Sequence, residues 1–203
     1  MDANAAQVIA LASALAWASG INVYAAVLVL GVLKLTGLVA LPHELDAIAT
    51  MPVIATAALL YAGQFIADKI PGIDTLWDSV HTFVRVPAGA FLAAATLGDA
   101  DAGLKLAAAL AGGALSLGTH ATKASGRLFV NTHIPIFGAA AASIFEDALA
   151  IGGLFLAATH PATFLVALAV GIVAMGVLLW FLAKFLAFVV RKIAGLFRGP
   201  VAN

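Results

Sequence analysis

Six stretches of mostly apolar residues follow one another along this chain, each near the roughly 20 residues that a helix needs to cross a bilayer. Proline, glycine and small clusters of charge separate them. No other feature limits the fold as much, because a backbone inside hydrocarbon must satisfy its own hydrogen bonds and is therefore helical or part of a closed barrel. Composition excludes the soluble alternative. Of the 203 residues 64% are hydrophobic and 10% charged, with a mean hydropathy of +1.10. Ten basic and ten acidic side chains are too few to cover a globular surface. The zero net charge argues against nucleic acid as a partner, and the absence of cysteine removes disulfides, thiol nucleophiles and thiolate metal sites together. No basic residue precedes the first apolar run, which predicts a first helix that is retained and not cleaved as a secretory signal.

The first stretch, about Ala5 to Thr36, is too long for one straight helix, and Ala18-Ser19-Gly20-Ile21-Asn22 predicts a kink or break within it. After a connection with Pro42, His43, Glu44 and Asp46, Thr50 is placed to cap a second helix, with Pro52 in its first turn, running to about Lys69. Ile70-Pro71-Gly72-Ile73 stops it, and Asp74 is placed to cap a third helix from about Thr75 to Gly98, bent by Pro87. A turn at Asp99 and Asp101 leads to a fourth, about Ala102 to Ser125, which passes Gly112-Gly113 and ends in the polar stretch Thr119 to His133. Pro135 closes that connection, a fifth helix spans about Ile136 to Ala158, and His160-Pro161 opens a sixth that reaches about Ile193.

The fold expected is all-α, a single membrane domain over residues 1–203 with about six transmembrane helices. Its halves, 1–98 and 99–203, predict a 3+3 inverted repeat with interrupted helices. Each half opens on a glycine-interrupted helix, at Ser19-Gly20-Ile21-Asn22 and at Gly118-Thr119-His120. Each then carries acid or amide groups on its second helix, Gln64 and Asp68 in one, Glu146 and Asp147 in the other. Lys69, Lys123, Arg127, Lys184, Arg191, Lys192 and Arg198 flank one side, which the positive-inside rule makes cytoplasmic. With six spans both termini lie on that side.

Ionisable groups inside apolar helices carry the functional signal, since each costs several kcal/mol at the bilayer centre unless it faces a bundle interior or an aqueous cavity. Asp74, Asp78, His81 and Arg85 are spaced four, three and four apart and stack on one face of the third helix. His120, Lys123 and Arg127, three and four apart, predict a basic stripe on the fourth. Arg85, His81, His120, Lys123 and Arg127, with Asn22 beside the break in the first helix, are the expected contacts for an anionic solute or lipid head group, because arginine forks onto phosphate and carboxylate oxygens. Glu146, Asp147, Asp68 and Asp78 are the expected charge-balancing or proton-handling groups. Asp68, Lys69 and Asp74 fit equally well as interfacial side chains that snorkel to the headgroups.

The function expected is a transporter or translocase, with lipids and an anionic small molecule or head group as partners. A homo-oligomer is compatible with this reading, and abundant Ala and Gly, which allow close helix approach, suit a structural or assembly role. No Gly-x-Ser-x-Gly elbow, His-Glu-x-x-His motif or P-loop occurs, and no catalytic residue, metal ligand or cofactor is assigned. A lipid-directed intramembrane enzyme and a non-catalytic assembly subunit stand as the alternatives.

Four strings carry a resemblance: Ser19-Gly20-Ile21-Asn22-Val23-Tyr24-Ala25-Ala26, Ala67 through Asp78 (Ala-Asp-Lys-Ile-Pro-Gly-Ile-Asp-Thr-Leu-Trp-Asp), Val80 through Gly89 (Val-His-Thr-Phe-Val-Arg-Val-Pro-Ala-Gly), and His120-Ala121-Thr122-Lys123-Ala124. With Glu146-Asp147 downstream, the chain resembles over nearly its whole length a family of small bacterial integral membrane proteins designated only as a domain of unknown function. That resemblance implies a bacterial plasma membrane and no established activity. Ile70-Pro71-Gly72, Thr82-Phe83 and Pro87-Ala88-Gly89 are also similar to the Pro-Gly-x-Arg-Thr-Phe and Pro-x-Ala-Gly pattern of DedA proteins, although Asp74 stands where arginine is usual. The likeness implies phosphate-bearing lipid head groups moved through re-entrant, inverted-repeat elements.

Overall fold

In the computed structural model the described residues are 3–70, 72–133 and 135–197, and side chains are left out at 3–4, 128, 131–136, 189 and 193–197. Pro71 and Arg198, expected as a helix stop and a positive flank, lie outside them. Six α-helices and one short 3₁₀ helix make up the fold: α1 Ala3–Leu35, the 3₁₀ helix His43–Ala49, α2 Met51–Ala67, α3 Ile73–Ala95, α4 Ala102–His133, α5 Pro135–Thr159 and α6 Pro161–Phe197. No strand occurs among the described residues. Length and apolarity alone mark four helices as able to cross a membrane, and a fifth if the 3₁₀ helix and α2, bent by 63°, count as one.

The expected break in α1 is present at Asn22, whose φ of −155° and ψ of 98° are extended and not helical. Asn22 also caps the second half of α1, its Oδ1 accepting the Ala25 N–H at 3.1 Å, the contact an N-cap residue makes to the third residue of a new helix. The break reverses the chain. Leu11 and Leu33 lie in one buried cluster with Val39 and Ala158, whereas 22 residues of continuous helix would hold the two leucines about 33 Å apart. Gln7 Nε2 donates to the Ala158 carbonyl at 2.9 Å at the end of α5. At the other end of α1, Gly31 abuts Ile48, and Lys34 pairs with Asp46 of the 3₁₀ helix. That 3₁₀ helix reaches α4 through a Glu44–Lys105 pair at 3.3 Å, and Pro42 lies against Gly98 after α3.

Both ends of α1 therefore sit at the end of the bundle where α3 finishes and α4 begins. α1 is a hairpin with its tip at Asn22, a full reversal where the sequence left a kink or a break open. α6 runs alongside α4 in the same direction, Leu168 and Ile172 sharing one cavity with Leu104 to Leu115 and Met175 meeting Gly118 further along, so its end lies opposite the start of α1.

α1 is the central element and touches every other helix. Ala10, Ala14, Leu15, Ala18, Ala26 and Leu30 are fully buried, and the surrounding helices present large apolar side chains outward, among them Phe83, Phe91, Phe155, Val166 and Phe181. An exterior with this many exposed large apolar side chains is compatible with a multi-pass membrane protein. Small residues let the inner helices approach. A Cβ on Gly20 would stand 2.4 Å from the Ser116 carbonyl oxygen, and one on Gly89 would stand 2.6 Å from the Ser116 Cβ, so α1, α3 and α4 meet nearly backbone to backbone.

Other boundaries differ for local reasons. Thr50 precedes α2 with Pro52 in the first turn as expected, but its hydroxyl donates back to the Ala47 carbonyl. Gly72, at φ 92°, takes the N-cap position of α3, and Asp74 sits inside the first turn with its Oδ1 accepting the Gly72 and Thr75 N–H groups at 2.8 and 2.6 Å. α4 does not stop at Ser125, and it carries no break at Gly118-Thr119-His120. Thr119, Thr122 and Ser125 return their hydroxyl protons to carbonyls four residues back, which satisfies these polar residues inside a helix. The second interruption expected from an inverted repeat is thus absent among the described residues.

Candidate functional site

The polar faces of α3 and α4 meet each other, the C-terminal end of α2, the first half of α5 and the tip of the α1 hairpin. Helical spacing dictates this on α3, where Asp74, Asp78 and Arg85 are buried on one side. On α4 the same spacing buries Ser116, Thr119, His120, Lys123 and Arg127. α2 contributes Gln64 and Asp68, four apart, and α5 contributes Ser143 and Asp147, also four apart. Glu146 is half-buried beside them.

Three cations organise the site. Arg127 forks onto Glu146, Nε to Oε1 at 3.0 Å and Nη2 to Oε2 at 2.5 Å, the bidentate geometry that makes arginine–carboxylate pairs strong. Its Nη1 donates to the Asp68 carbonyl at 2.7 Å and lies 3.6 Å from Asp74 Oδ2. Lys123 stands between elements: its Nζ donates to Asp68 Oδ2 at 3.2 Å and to the Ile21 carbonyl at 3.1 Å, with Asp78 and Glu146 oxygens at 3.6 and 3.5 Å. Ile21 ends the first half of α1, so the carbonyl freed by the break accepts from a cation on α4. Arg85 Nη1 lies 2.8 Å from Asp78 Oδ1 and 2.9 Å from His120 Nδ1.

Hydrogen-bond chemistry sets both imidazoles. A guanidinium can only donate, so His120 Nδ1 accepts, and its Nε2 carries the proton given to Thr82 Oγ1 at 2.7 Å. Thr82 donates in turn to the Asp78 carbonyl. His81 Nδ1 faces the Trp77 carbonyl at 2.8 Å and must donate to it, and Nε2 meets the Tyr24 hydroxyl, which can donate or accept, at 3.0 Å.

Of the sequence-expected residues, Asp68, Asp78, Arg85, His120, Lys123, Arg127 and Glu146 form one connected network. Asn22 and Asp147 join at its edge, Asn22 Nδ2 donating to Asp147 Oδ1 at 3.1 Å. His81 is one turn away in an aromatic setting, stacked on Trp77 at 4.3 Å and edge-on to Tyr24, and both its ring nitrogens are engaged there and not by the network. The basic groups were expected to face a few carboxylates, and Arg85, Lys123 and Arg127 each do so, Arg85 at Asp78, Lys123 at Asp68 and Arg127 at Glu146. Sequence reasoning gave no role to Thr82, Ser143 or the Ile21 carbonyl. The four-residue spacings Asp78–Thr82 and Ser143–Asp147 were the available signals.

A cavity of about 210 Å³ opens between α3 and α4, lined by Thr75, Asp78, Ser79, Thr82, His120 and Arg127. Its walls offer hydroxyls, one imidazole, one carboxylate and one guanidinium, a mixture suited to a small polar guest. A separate cavity of about 490 Å³ beside the first half of α1 is lined mostly by Ala, Leu and Ile, with Ser13 and Gly112. At the end of the bundle His43, Glu44 and Asp99 bring ligand-type atoms within 4.8 Å of one another, with Lys105 already paired to Glu44.

The family described as "Domain of unknown function (DUF4126)" matches residues 9–184, which includes every residue of this network. No curated protein and no solved structure matches the chain.

Proposed function

We propose that this chain, which belongs to the DUF4126 family, is a transport protein of a bacterial plasma membrane that binds an anionic solute or lipid head group in the cavity between α3 and α4 and couples its passage to a proton. The observation that carries this reading is the position of Arg127, which lines the cavity and is simultaneously forked onto Glu146. An arriving anion competes with Glu146 for that fork. Adding a bare negative charge to a buried cluster already rich in carboxylates is costly. A proton taken by Glu146 removes one carboxylate charge as the anion brings one, so the guest and the proton enter together. Thr82, Thr75, Ser79 and His120 line the same cavity, and a guest oxygen exchanges for the acceptors their protons now meet, the Asp78 carbonyl, Asp74 Oδ1, the Thr75 carbonyl and Thr82 Oγ1.

The topology that goes with this is α1 as a re-entrant hairpin and α2 to α6 as five crossings. This modifies the six-span, 3+3 arrangement expected from sequence. The positive flanks Lys184, Arg191 and Lys192 set the end of α6 in the cytoplasm. The break in α1 that meets the charged residues is like the interrupted helices found at transporter sites, and this supports the reading.

An assembly subunit would require buried charges satisfied wholly among themselves. Here Arg85 Nε and Nη2, both amide atoms of Gln64 and Asp147 Oδ2 have no hydrogen-bond partner among the described residues. The test is uptake into proteoliposomes under an imposed pH gradient, with radiolabelled inorganic phosphate for a free anion and fluorescent phosphatidylglycerol for a head group. The expected outcome is gradient-dependent movement of one probe, lost in Arg127→Gln and uncoupled from pH in Glu146→Gln. Movement of neither probe, or rates indifferent to both substitutions, refutes the reading.

A further inference from the structure

α6 is longer than a crossing requires, and its second half has nothing in the fold to pack on. Pro161–Phe197 is 37 residues, about 55 Å of helix at 1.5 Å per residue, against a hydrocarbon core of about 30 Å. Roughly 20 residues cross that core, which carries the helix from Pro161 to Trp180, a residue type enriched at the membrane–water boundary. Contacts with the bundle end at the same depth. Phe164 is buried, Met175 reaches Gly118, and Leu178 lines a cavity shared with α4. From Ala183 to Lys192 every described side chain except the half-buried Ala187 is exposed.

The charge of this segment has one sign. No acidic residue follows Asp147, whereas Lys184, Arg191 and Lys192 all do, with Arg198 outside the described residues. The contacts these cations make stay within α6: Lys184 Nζ lies over the Trp180 ring at 4.0 Å, and Arg191 Nε donates to the Ala187 carbonyl at 3.3 Å. Between them the helix is apolar, and Phe185, Leu186, Phe188 and Val190 are exposed. Lys184 and Arg191, seven apart, lie two turns from each other on one side, while Leu182, Leu186 and Val190, four apart, follow the opposite side. Neither water nor hydrocarbon suits both sides at once. The boundary between them does, where cations meet head groups and aliphatic side chains enter the acyl layer.

We propose that α6 from Lys184 to Lys192 is a docking surface for anionic phospholipid, with its cations on the head-group phosphates and Leu182, Leu186 and Val190 in the acyl boundary beneath them. In the proposed topology these are lipids of the cytoplasmic leaflet, whose negative surface potential attracts basic segments next to a crossing. Charge selects this occupant over a second copy of the chain, because two such segments brought face to face present cations to cations and no acid to either. The surface is separate from the cavity between α3 and α4 and does not rest on solute movement.

The chain has no cysteine, so Leu186→Cys gives the full-length protein one attachment point. A bimane there, in nanodiscs of phosphatidylglycerol mixed with phosphatidylcholine, is quenched on contact by a trace of either lipid carrying a nitroxide. Quenching by the phosphatidylglycerol probe should exceed that by the phosphatidylcholine probe at least about twofold in low salt and fall to parity as ionic strength rises, since exposed charges are screened. Parity is also expected at low salt when Lys184→Gln, Arg191→Gln and Lys192→Gln are combined, and for a bimane at Val166→Cys, near the start of the same helix. Arg127→Gln, which tests the cavity, should leave the preference at Leu186→Cys intact, so the two proposals fail separately. Equal quenching by both lipids at Leu186→Cys in low salt, a preference that survives the triple substitution, or protection from both lipids with excimer emission from a pyrene at the same position, the mark of a second copy, overturns the surface.

Discussion

At the scale of single residues the network trades stability for a defined arrangement of charge. Removing one member of a buried ion pair strands the other at a cost of about 3–5 kcal/mol, whereas replacing both by apolar groups is often neutral. Arg127→Met alone should therefore lower the unfolding temperature in detergent sharply, and Arg127→Met with Glu146→Leu should recover part of that loss. Transport would stay abolished in the double variant. If the double variant were no more stable than the single one, the Arg127–Glu146 pair would not be the dominant partner of either group. Asn22→Ala removes a helix cap, about 1 kcal/mol, and a donor to Asp147, so it should destabilise by more than a cap alone. Most of these residues were legible beforehand, because a polar side chain recurring every three or four positions in an apolar helix declares a buried face. Their partners were not. Pairing runs between helices, and no spacing within α4 says that Lys123 meets Asp68 on α2 and Ile21 on α1.

The same limit applies to whole elements. Ser19-Gly20-Ile21-Asn22 announced an interruption, but a kink and a full reversal share one local signature, and only contacts such as Leu11 with the cluster around Leu33 distinguish them. The end of α4 was misplaced because Thr119, Thr122 and Ser125 look like loop residues in sequence, while in the helix their hydroxyls are satisfied by backbone carbonyls. A chain without cysteine makes the hairpin directly testable. Leu11→Cys with Leu33→Cys should cross-link within one molecule through a short bifunctional maleimide, and neither single variant should. A continuous first helix predicts no such product. Gly20→Val probes the contact that lets the hairpin dock. Its side chain would drive into the Ser116 carbonyl, and an overpacking penalty of about 1–3 kcal/mol should appear as a lower unfolding temperature, while Gly63→Ala, with open space around it, should cost less than about 1 kcal/mol.

For the molecule as a whole the hairpin decides which side of the membrane each connection faces. A first helix that crosses puts both termini in the cytoplasm; a hairpin that returns puts the start of α1, the 3₁₀ helix and the α3–α4 turn on one side and the end of α6 on the other. In the proposed topology the positive flanks of α6 set that last end in the cytoplasm. The acidic connections with Glu44, Asp46, Asp99 and Asp101 then face outward, as they do in either arrangement, so charge bias alone cannot separate the two. The start of α1 can. A single cysteine at Gln7, whose amide reaches the carbonyls of Ala157 and Ala158 near the outer end of α5, is close to that surface in the hairpin arrangement. In intact cells Gln7→Cys and Asp101→Cys should both react with a membrane-impermeant maleimide, and Lys192→Cys should react only after the membrane is opened. Gln7→Cys behaving like Lys192→Cys would return α1 to a full crossing.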